Sequence, residues 1–325
     1  MPEAIPPLIS IVMPVYNEEA LIMKTLRTVQ GFINQRPERY EVIFVDDGSS
    51  DTTIDKLKKA SAFYPDMRLI RFSRNFGHQL AITAGIRYAT GDAVVVMDAD
   101  LQDPPAVIGD MINAWQRGAD VVYGQRSQRD GESWFKKTSA SAFYRLLHAI
   151  TNVDIPVDTG DFRLMDRKVV NVLDQMNEDE PFVRGMVSWI GFNQQAVTYE
   201  RQPRTDGESK YPLRKMIRLA MDGVTSFSNL PLKLATWFGT TLFIAALVDV
   251  ISAIWFGFTP TIITLCALLI IGGMILTSIG FLGQYLGRIF NQSRERPLYI
   301  VAETRGFPTL AQQPASQPVS LSHQQ

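Results

Sequence analysis

Residues 93–105 read AVVVMDADLQDPP, a run of five apolar residues that ends in a cluster of carboxylates. A short continuous apolar run that is closed by a turn is typical of a strand covered on both faces. Asp98 and Asp100 follow directly at its carboxyl end, where the break into a turn lets both side chains point the same way. Carboxylates in this position are suitable ligands for Mg²⁺ or Mn²⁺, and Gln102 adds a neutral oxygen.

Four further apolar runs accompany this one, and the segments between them show helical periodicity. Continuous apolar strands separated by helices predict an α/β fold with a mainly parallel sheet that is covered on both faces. Polar residues follow every run, and in open α/β sheets ligands bind at the carboxyl ends of the strands. We therefore expect a ligand site along that edge. The predicted strands are Ile9–Met13, Glu41–Val45, Arg68–Phe72, Ala93–Met97 and Asp120–Tyr123, and the predicted helical segments are 18–33, 51–62, 77–89 and 105–116.

The composition excludes several functional classes. With 32 basic and 33 acidic side chains, the chain is not a globally basic nucleic-acid binder. An apolar content of 46% excludes an intrinsically disordered chain. The single cysteine, Cys266, excludes an intramolecular disulfide framework and a multi-cysteine zinc site. Because neither a G-x-G-x-x-G fingerprint after the first strand nor a P-loop is present, a diphosphate here is not expected to rest on a glycine loop. A nucleotide sugar held through a divalent cation fits best.

A long apolar stretch lies near the C-terminus. From Leu234 to Gly287 the only charged residue is Asp249, and a turn-like segment at 256–260 divides the stretch into two halves. Each half is long enough to cross a bilayer, and Arg and Lys residues flank the pair on both sides. The alternative is a buried helical hairpin. We expect a cytoplasmic catalytic domain over 1–211, an amphipathic interfacial helix over 212–232, transmembrane helices at 233–256 and 261–287, and a cytoplasmic tail over 288–325 that is disordered after about 306.

These expectations place the protein in a bacterial inner membrane as a multi-pass protein with both termini in the cytoplasm. Five glycines in the second half permit close packing of helices, so a homo-oligomer formed through the membrane helices is expected. The beginning of the chain shows no recognisable secretory signal. Residues 212–232 have an alternative interpretation as an ordinary amphipathic helix of a globular domain.

Six segments, in this order and spacing, resemble the motifs of family 2 glycosyltransferases of GT-A fold. The similarity is closest to the polyprenyl-phosphate glycosyltransferases, among them dolichyl-phosphate mannose synthases and aminoarabinose transferases. With the paired C-terminal segments included, the chain to about residue 303 resembles the bactoprenol glucosyl transferase branch. The segments are PVYNE (14–18), DDGSSD (46–51), RNFGHQLAITAG (74–85), DADLQDPP (98–105), GDFRLMDR (160–167) and GESKY (207–211).

The resemblance implies a GT-A (Rossmann-like) domain that transfers a sugar from a UDP-sugar to undecaprenyl phosphate with inversion of configuration. Glucose is the favoured sugar, and N-acetylhexosamine, mannose and aminoarabinose are the alternatives. The implied cofactor is Mg²⁺ or Mn²⁺, and membrane lipids are the further partners, without nucleic acid. A processive polysaccharide synthase does not fit because the Q-x-x-R-W motif is missing. A non-catalytic membrane subunit that binds a nucleotide or a lipid is the alternative from another class.

The resemblance also implies roles for single residues. Asp161 is placed near the reacting centre; a structural salt bridge with Arg163 is its alternative role, and Asp158 is the alternative residue. Arginine side chains suit an acceptor phosphate because they bind it bidentately, although lipid headgroups attract the same cations. The implied sets are Pro14, Tyr16, Glu18, Asp46 and Asp98 for the nucleotide sugar; Asp98, Asp100 and Gln102 for the metal; Asp161, Arg126 and Asp100 for catalysis; and Arg126, Lys137, Ser141, Arg204 and Lys210 for the acceptor phosphate.

Overall fold

A computed structural model describes residues 5–127, 159–176, 178, 181–201, 237, 241, 260–294 and 296–307. Strands and helices alternate along most of these ranges. In chain order the elements are β1 (Leu8–Val15), α1 (Ile22–Ile33), β2 (Arg39–Asp46), α2 (Thr53–Ala60), β3 (Met67–Phe72), α3 (His78–Tyr88), β4 (Ala93–Val96), α4 (Ala106–Gln116), β5 (Val121–Arg126), β6 (Thr159–Asp166), α5 (Arg167–Asp174), α6 (Val183–Ile190), β7 (Gln194–Tyr199), α7 (Pro260–Ser293) and β8 (Val301–Arg305).

The eight strands form one sheet in the order β7-β5-β6-β4-β1-β2-β3-β8. Strands β1 to β4 are parallel to one another, and β5 is parallel to β7. Strand β6 runs antiparallel to both of its neighbours, and β8 runs antiparallel to β3. The predicted α/β fold with a mainly parallel sheet is confirmed, and the five predicted strands are present as β1 to β5. Strands β6, β7 and β8 and the helices α5 and α6 were not predicted.

Helices cover both faces of the sheet, and this explains the unbroken apolar runs. On one face α1, α2 and α4 contribute buried side chains such as Leu26, Leu57 and Ile108. On the other face α3, α5 and α6 contribute side chains such as Ile82 and Val170. Because successive residues of a strand point to opposite faces, a central strand in such a sandwich must be apolar at every position. The polar residues are therefore left at the strand ends.

The antiparallel course of β6 places its amino end at the same edge as the carboxyl ends of β1 to β4. Strands β5 and β7 run in the direction opposite to β6, so their carboxyl ends reach that edge as well. We call this side of the sheet the carboxyl edge. It carries the end of every strand from which a site residue was predicted, and it is where open α/β sheets bind ligands.

Helix α7 belongs to a second compact unit of the chain, whereas β8 belongs to the unit that contains the sheet. α7 includes the segment 261–287 that was predicted to be the second membrane helix. The interfacial helix predicted at 212–232 and nearly all of the first membrane helix predicted at 233–256 lie outside the described residues.

The predicted multi-pass location in the inner membrane is contradicted. Crossing the hydrocarbon core requires one continuous helix of about 20 predominantly apolar residues. In the ranges that the structure describes, no helix meets the combined requirement of length and apolar character. The prediction relied on the near absence of charge from residues 234–287.

Candidate functional site

Asp98 and Asp161 lie opposite each other at the carboxyl edge because β4 and β6 are antiparallel. Val96 of β4 pairs with Arg163 of β6, so two further steps along each chain bring Asp98 to Asp161. His78, the first residue of α3, lies between them. Its Nε2 atom is 3.5 Å from a carboxylate oxygen of Asp98 and 3.5 Å from one of Asp161. The sheet register thus joins two carboxylates that are 63 residues apart in the chain.

Asp161 is held by side chains from two helices. The Nε2 amide of Gln79 in α3 donates a hydrogen bond to Oδ2 over 3.1 Å, and Nη2 of Arg184 in α6 approaches Oδ1 at 3.4 Å. Burial alone would raise the pKa of Asp161, but the hydrogen bond from His78 and the charges of Arg184 and Arg163 hold this pKa well below its usual range. Asp161 is therefore an ionised, weakly basic carboxylate with partners at both oxygens.

Arg163 does not form the salt bridge with Asp161 that was considered as an alternative from the sequence. Its Nη2 atom donates instead to the carbonyl oxygen of Gly160 over 3.0 Å, and the side chain is almost fully buried. Burial lowers the pKa of Arg163 to about 10, and the charge of Asp161 offsets part of this shift. Arg163 therefore acts on Asp161 through its charge rather than through a direct contact.

Asp98 is the carboxylate that fits a cation. Its Oδ1 atom is buried and accepts no hydrogen bond from the described part of the chain; Nε2 of His78 lies 3.5 Å from this atom. Burial raises the pKa of Asp98 to about 6; His78 opposes this shift, while the charges of Asp161 and Asp100 add to it. A buried oxygen without a donor is unfavourable unless a ligand completes it.

Asp100 and Gln102 stand beside Asp98 in a tight turn. Leu101 adopts a positive φ of 57°, and the backbone N–H of Gln102 donates to Oδ1 of Asp100 over 3.0 Å. Within the described ranges no group of three or more His, Cys, Asp or Glu side chains is arranged to hold a metal ion. The residues present suit a cation that takes one or two carboxylates from the protein and completes its shell with phosphate oxygens and water, as Mg²⁺ commonly does.

The loops after β1 and β2 are fastened to each other. Asn17 has a positive φ of 54°, its backbone N–H donates to Oγ of Ser49 over 3.0 Å, and its Oδ1 accepts from the N–H of Ser50 over 2.8 Å. Gly48 has a φ of +70°, and a Cβ atom there would lie 2.4 Å from the backbone of Arg74. Only glycine permits this approach, so the β2 loop packs directly on the loop after β3.

Asp46 ends β2 and Asp47 begins the loop that follows, and the two carboxylates have different surroundings. Asp47 accepts hydrogen bonds from the backbone N–H groups of Phe76 and Gly77, which fixes the start of α3. Asp46 accepts from the N–H of Ser49 over 3.2 Å, and among the described residues its buried Oδ2 atom accepts no hydrogen bond. Burial raises the pKa of both carboxyl groups. Asp47 serves the fold, whereas Oδ2 of Asp46 faces Nε of Arg71 at 3.7 Å without a hydrogen bond from the described residues.

A second cluster lies at the ends of β5 and β7, where Arg126 pairs in register with Tyr199. The Tyr199 hydroxyl donates to the buried carboxylate of Asp103, and Nε of Arg201 lies 3.8 Å from the same carboxylate. Burial opposes the charge of Arg126, but Tyr199 and Asp103 outweigh burial and raise its pKa. For Arg201, burial and the neighbouring charge of Arg126 lower the pKa. Asp103 therefore forms an ion pair with Arg201 and acts on Arg126 through its charge.

Both of these arginines keep donor capacity. The Nε atoms of Arg126 and Arg201 are buried and make no hydrogen bond to any described residue. Gly160 leaves room for this arrangement, since a Cβ atom there would lie 2.7 Å from Nη2 of Arg126. Planar, paired guanidinium groups that are undercompensated by acid are suited to binding a phosphate.

The remaining predicted residues fall into two groups. Pro14 is buried in β1, the side chain of Tyr16 is 47% exposed, and the backbone N–H of Glu18 donates to Oγ1 of Thr53. All three lie at the end of β1 or in the loop that follows it. The other predicted residues, Asp158, Lys137, Ser141, Arg204 and Lys210, lie outside the described residues.

Four residues of the site were not assigned a role from the sequence. His78 and Gln79 lie in the RNFGHQ segment that follows the third predicted strand. Their place after a strand already indicated a position at the carboxyl edge. Arg184 lies in α6 and Arg201 follows β7, and neither element was predicted from the sequence. Their partners became evident only from the register of β6 and β7.

The sequence matches the profile described as glycosyl transferase family 2 over residues 10–173. An uncharacterized glycosyltransferase of Bacillus subtilis is 49% identical to it over 304 residues, which cover 92% of this chain and 94% of the relative. A bactoprenol glucosyl transferase of Shigella phage SfV is 39% identical over 303 residues, which cover 90% of this chain and 97% of the relative.

Among solved structures, glucosyl-3-phosphoglycerate synthase from Mycobacterium tuberculosis in complex with UDP superposes with a TM-score of 0.51. The match covers 68% of this chain and 79% of the other, at 17% identity. A crystal structure of the same enzyme with Mn²⁺, UDP and phosphoglyceric acid also matches with a TM-score of 0.51. At this identity the likeness shows a shared fold.

Proposed function

Since the chain belongs to glycosyltransferase family 2 and is a glycosyltransferase, we propose that it transfers a sugar, preferentially glucose, from a UDP-sugar to undecaprenyl phosphate or a similar polyprenyl phosphate. Relatives named bactoprenol glucosyl transferase, 37% to 39% identical over nine tenths of the chain, support the lipid acceptor. The observation that carries the proposal is the pairing of Arg126 and Arg201 at the same sheet edge as Asp98. The site has separate places for two phosphate-bearing substrates.

The Arg126–Arg201 pair is the proposed position of the acceptor phosphate. A phosphate monoester with a second pKa near about 6 is mostly a dianion at neutral pH. Asp103 forms an ion pair with Arg201 and acts on Arg126 through its charge, and we propose that the two guanidinium groups together have positive charge left for such a dianion. The predicted acceptor residues Lys137, Ser141, Arg204 and Lys210 are proposed to complete this position.

The loops after β1 and β2 are the proposed position of the nucleotide. Oδ2 of Asp46 has Nε of Arg71 at 3.7 Å and accepts no hydrogen bond from the described residues, and we propose that it accepts one from the base or the ribose. Tyr16 is exposed in the loop after β1. Pro14 and Glu18 shape the start of that same loop. Asp98, Asp100 and Gln102 are proposed to hold a divalent cation, which when bound neutralises charge on the donor diphosphate.

In the proposed reaction an oxygen of the acceptor phosphate attacks the anomeric carbon of the sugar. A carbon–oxygen bond forms there while the bond to the nucleoside diphosphate breaks, and the diphosphate leaves with the electron pair. The configuration inverts. Because the attacking oxygen is already ionised, no proton has to be removed. Asp161, with its lowered pKa and its partners at both oxygens, is suited to holding the site's geometry near the reacting centre rather than to accepting a proton.

The proposal is tested by incubating the purified protein with Mg²⁺ or Mn²⁺, undecaprenyl phosphate and a panel of radiolabelled nucleotide sugars. We expect a lipid-linked, chromatographically mobile product, strongest with UDP-glucose. A product from a different nucleotide sugar would change the assigned donor. No lipid product from any donor of the panel would refute the proposed function.

The acceptor position is tested with Arg126→Gln and Arg201→Gln. Each is expected to raise the KM for polyprenyl phosphate by about 10-fold or more, since each removes a charge-assisted contact. UDP-sugar binding, followed by calorimetry, should stay within about 3-fold of the wild type because the donor contacts are untouched. The exposed Arg117→Gln at the end of α4 is the matched control. Weakened UDP-sugar binding with an unchanged acceptor KM would assign the pair to the donor instead.

A further inference from the structure

We propose that Gln79 is a positioning residue, which sets Asp161 in place by joining it to the start of α6. The side-chain amide makes two hydrogen bonds in opposite senses. Its Nε2 donates to Oδ2 of Asp161 over 3.1 Å, and its Oε1 accepts from the backbone N–H of Val183 over 3.1 Å. Gln79 thus joins Asp161 of β6 to Val183, the first residue of α6, which lies 104 positions after Gln79 in the chain.

The chemistry of the amide defines its orientation. Turning the amide over would place its NH₂ group against the Val183 N–H and its oxygen against the carboxylate of Asp161, and both contacts would be repulsive. A carboxylate, a hydroxyl or an apolar side chain cannot make both bonds from this position. The two bonds therefore require glutamine here.

The second contact reaches Asp161 by another route. α6 has no side-chain cap at its start, so Oε1 of Gln79 satisfies one of the N–H groups that the first turn of a helix leaves open. The next residue of this helix, Arg184, approaches the other oxygen of Asp161 at 3.4 Å. Gln79 therefore fixes one oxygen of Asp161 directly and supports the helix that positions the donor to the other.

The consequence lies in the spacing of the two carboxylates. Asp98 and Asp161 both approach Nε2 of His78, and their charges repel each other. If Asp161 rotates away from Gln79, it no longer has a defined distance from His78 or Asp98. Misplacement by about 1 Å in a catalytic constellation can reduce turnover by about 100-fold. The effect of losing Gln79 is therefore expected on kcat.

The activity test compares Gln79→Glu with the wild type and rests on the proposed function. The new carboxylate keeps an acceptor for the Val183 N–H but cannot donate to Asp161. We expect kcat to fall by about 10- to 100-fold while the KM for the nucleotide sugar changes by less than about 3-fold. Gln175→Glu, on the exposed end of α5, is the matched control and should leave kcat unchanged. An unchanged kcat for Gln79→Glu in a folded protein would overturn the proposal.

A double-variant cycle separates positioning from general structural damage. In an Asp161→Asn background, Gln79→Glu restores the hydrogen bond with reversed polarity, since the new carboxylate at position 79 accepts from the new amide at position 161. If Gln79 acts through Asp161, the second substitution should cost less than about 2-fold in kcat beyond Asp161→Asn alone. A full multiplicative loss would show that Gln79 acts independently of Asp161 and would overturn the proposal.

Failure of the proposed function is distinguished by a measurement that needs no acceptor. In the full-length protein, Gln79→Met removes both hydrogen bonds at similar volume. Titration of the Asp161 carboxyl carbon by NMR should then show a raised pKa relative to the wild type, and hydrogen exchange at the Val183 amide should become faster. If the wild type transfers no sugar, these readouts still decide the role of Gln79. An unchanged carboxyl titration together with unchanged exchange would refute it.

Discussion

Two carboxylates at opposite edges of the sheet, the buried Glu41 and the half-buried Asp98, have opposite surroundings. Glu41 in β2 points toward the amino-end side, where Ser10, Thr90 and Arg68 all contact its side chain. Asp98 follows β4 on the carboxyl edge, and its buried Oδ1 atom lies 3.5 Å from Nε2 of His78 and accepts no hydrogen bond from the described residues. The carboxylate of Glu41 therefore has several donors at the amino-end side, whereas that of Asp98 keeps an oxygen without a hydrogen bond from the described residues at the carboxyl edge.

The difference teaches how to separate structural acids from site acids in this chain. A buried carboxylate with a full set of donors stabilises the fold and has no capacity for a ligand. A buried carboxylate oxygen that accepts no hydrogen bond is unfavourable in isolation, and a ligand or a bound water must complete it. By this criterion Asp46 and Asp98 belong to the site, whereas Asp47 and Glu41 belong to the scaffold.

The largest effect is expected from Asp98→Asn, which should lower kcat/KM for sugar transfer by about 100-fold or more, as the loss of one preorganised electrostatic contact typically does. Folding should be retained, because the amide removes a poorly compensated buried charge. The measurement is initial-rate transfer together with a thermal melt. Asp110→Asn on the exposed side of α4 is the matched control. Full activity in Asp98→Asn would remove Asp98 from the site and invalidate the criterion.

Glu41→Gln should give the complementary result, a loss of stability without a loss of chemistry. Removing one member of a buried, hydrogen-bonded ion pair costs about 3 kcal/mol of unfolding free energy. Arg68 keeps 18% of its side chain exposed and can recover some hydration, so the lower end of the usual range applies. Chemical denaturation measures the loss, and kcat of the folded protein should match the wild type. A reduced kcat at full folding would show that the amino-end cluster serves the reaction.

The contrast between the two edges was only partly predictable from the sequence. Asp46, Asp98 and Asp100 were identified because each follows an apolar strand, and strand ends in a parallel sheet share an edge. That rule is local and needs no knowledge of partners. The contacts of Asp161 with Gln79 and Arg184 depend on the antiparallel register of β6 and on the packing of α6, which neither periodicity nor spacing reveals.

The membrane prediction failed for a related reason. It was based on the charge content of a long segment, and charge content alone does not determine which helix that segment forms. Strand β8, which follows α7 in the chain, shows the same limit of prediction from sequence. Residues 301–305 fall in the segment expected to be a tail, yet they pair with β3. The register of a late strand with an early one is a long-range property of the fold.

The pH dependence of stability is expected to reflect the incomplete state of Asp98. Its pKa is about 6 in the folded protein, above an unfolded value near about 3.9. At a pH between these two pKa values the folded state binds more protons than the unfolded state. The free energy of unfolding therefore falls as the pH rises from about 4 to about 6. The destabilisation is absent below about pH 4 and complete above about pH 6.

The melting temperature of Asp98→Asn relative to the wild type reports this contribution. The advantage of the variant should grow between about pH 4 and about pH 7, following the titration of the wild-type carboxyl group. Adding excess Mg²⁺ or Mn²⁺ at neutral pH should raise the melting temperature of the wild type and leave that of the variant unchanged, because a ligand of the folded state stabilises it. A difference that does not vary with pH would contradict the assigned pKa, and equal responses to the cation would place its binding elsewhere.

The smallest effect is expected from Tyr299→Ala. This variant tests whether the segment before β8 helps to hold the site residues at the carboxyl edge. The Tyr299 ring stacks on Phe72 at 5.0 Å, and Phe72 meets Phe76 edge to face at 5.6 Å. The N–H of Ser73 also donates to the carbonyl oxygen of Ile300 over 3.0 Å. The segment before β8 therefore supports the loop that leads into His78 and Gln79.

Losing the Tyr299 ring removes one stacked pair, worth about 1 kcal/mol beyond its buried area. The loop after β3 should become looser, and the KM for the nucleotide sugar should rise by about 3-fold, since about 0.7 kcal/mol corresponds to that factor. Tyr299→Phe keeps the ring and is the matched control. Hydrogen exchange at Phe76 and Gly77, whose N–H groups bond to Asp47, follows the loosening directly. Faster exchange with an unchanged KM would mean that the site at the carboxyl edge is held independently of the C-terminal strand. Strand β8 would then belong to the scaffold and not to the site.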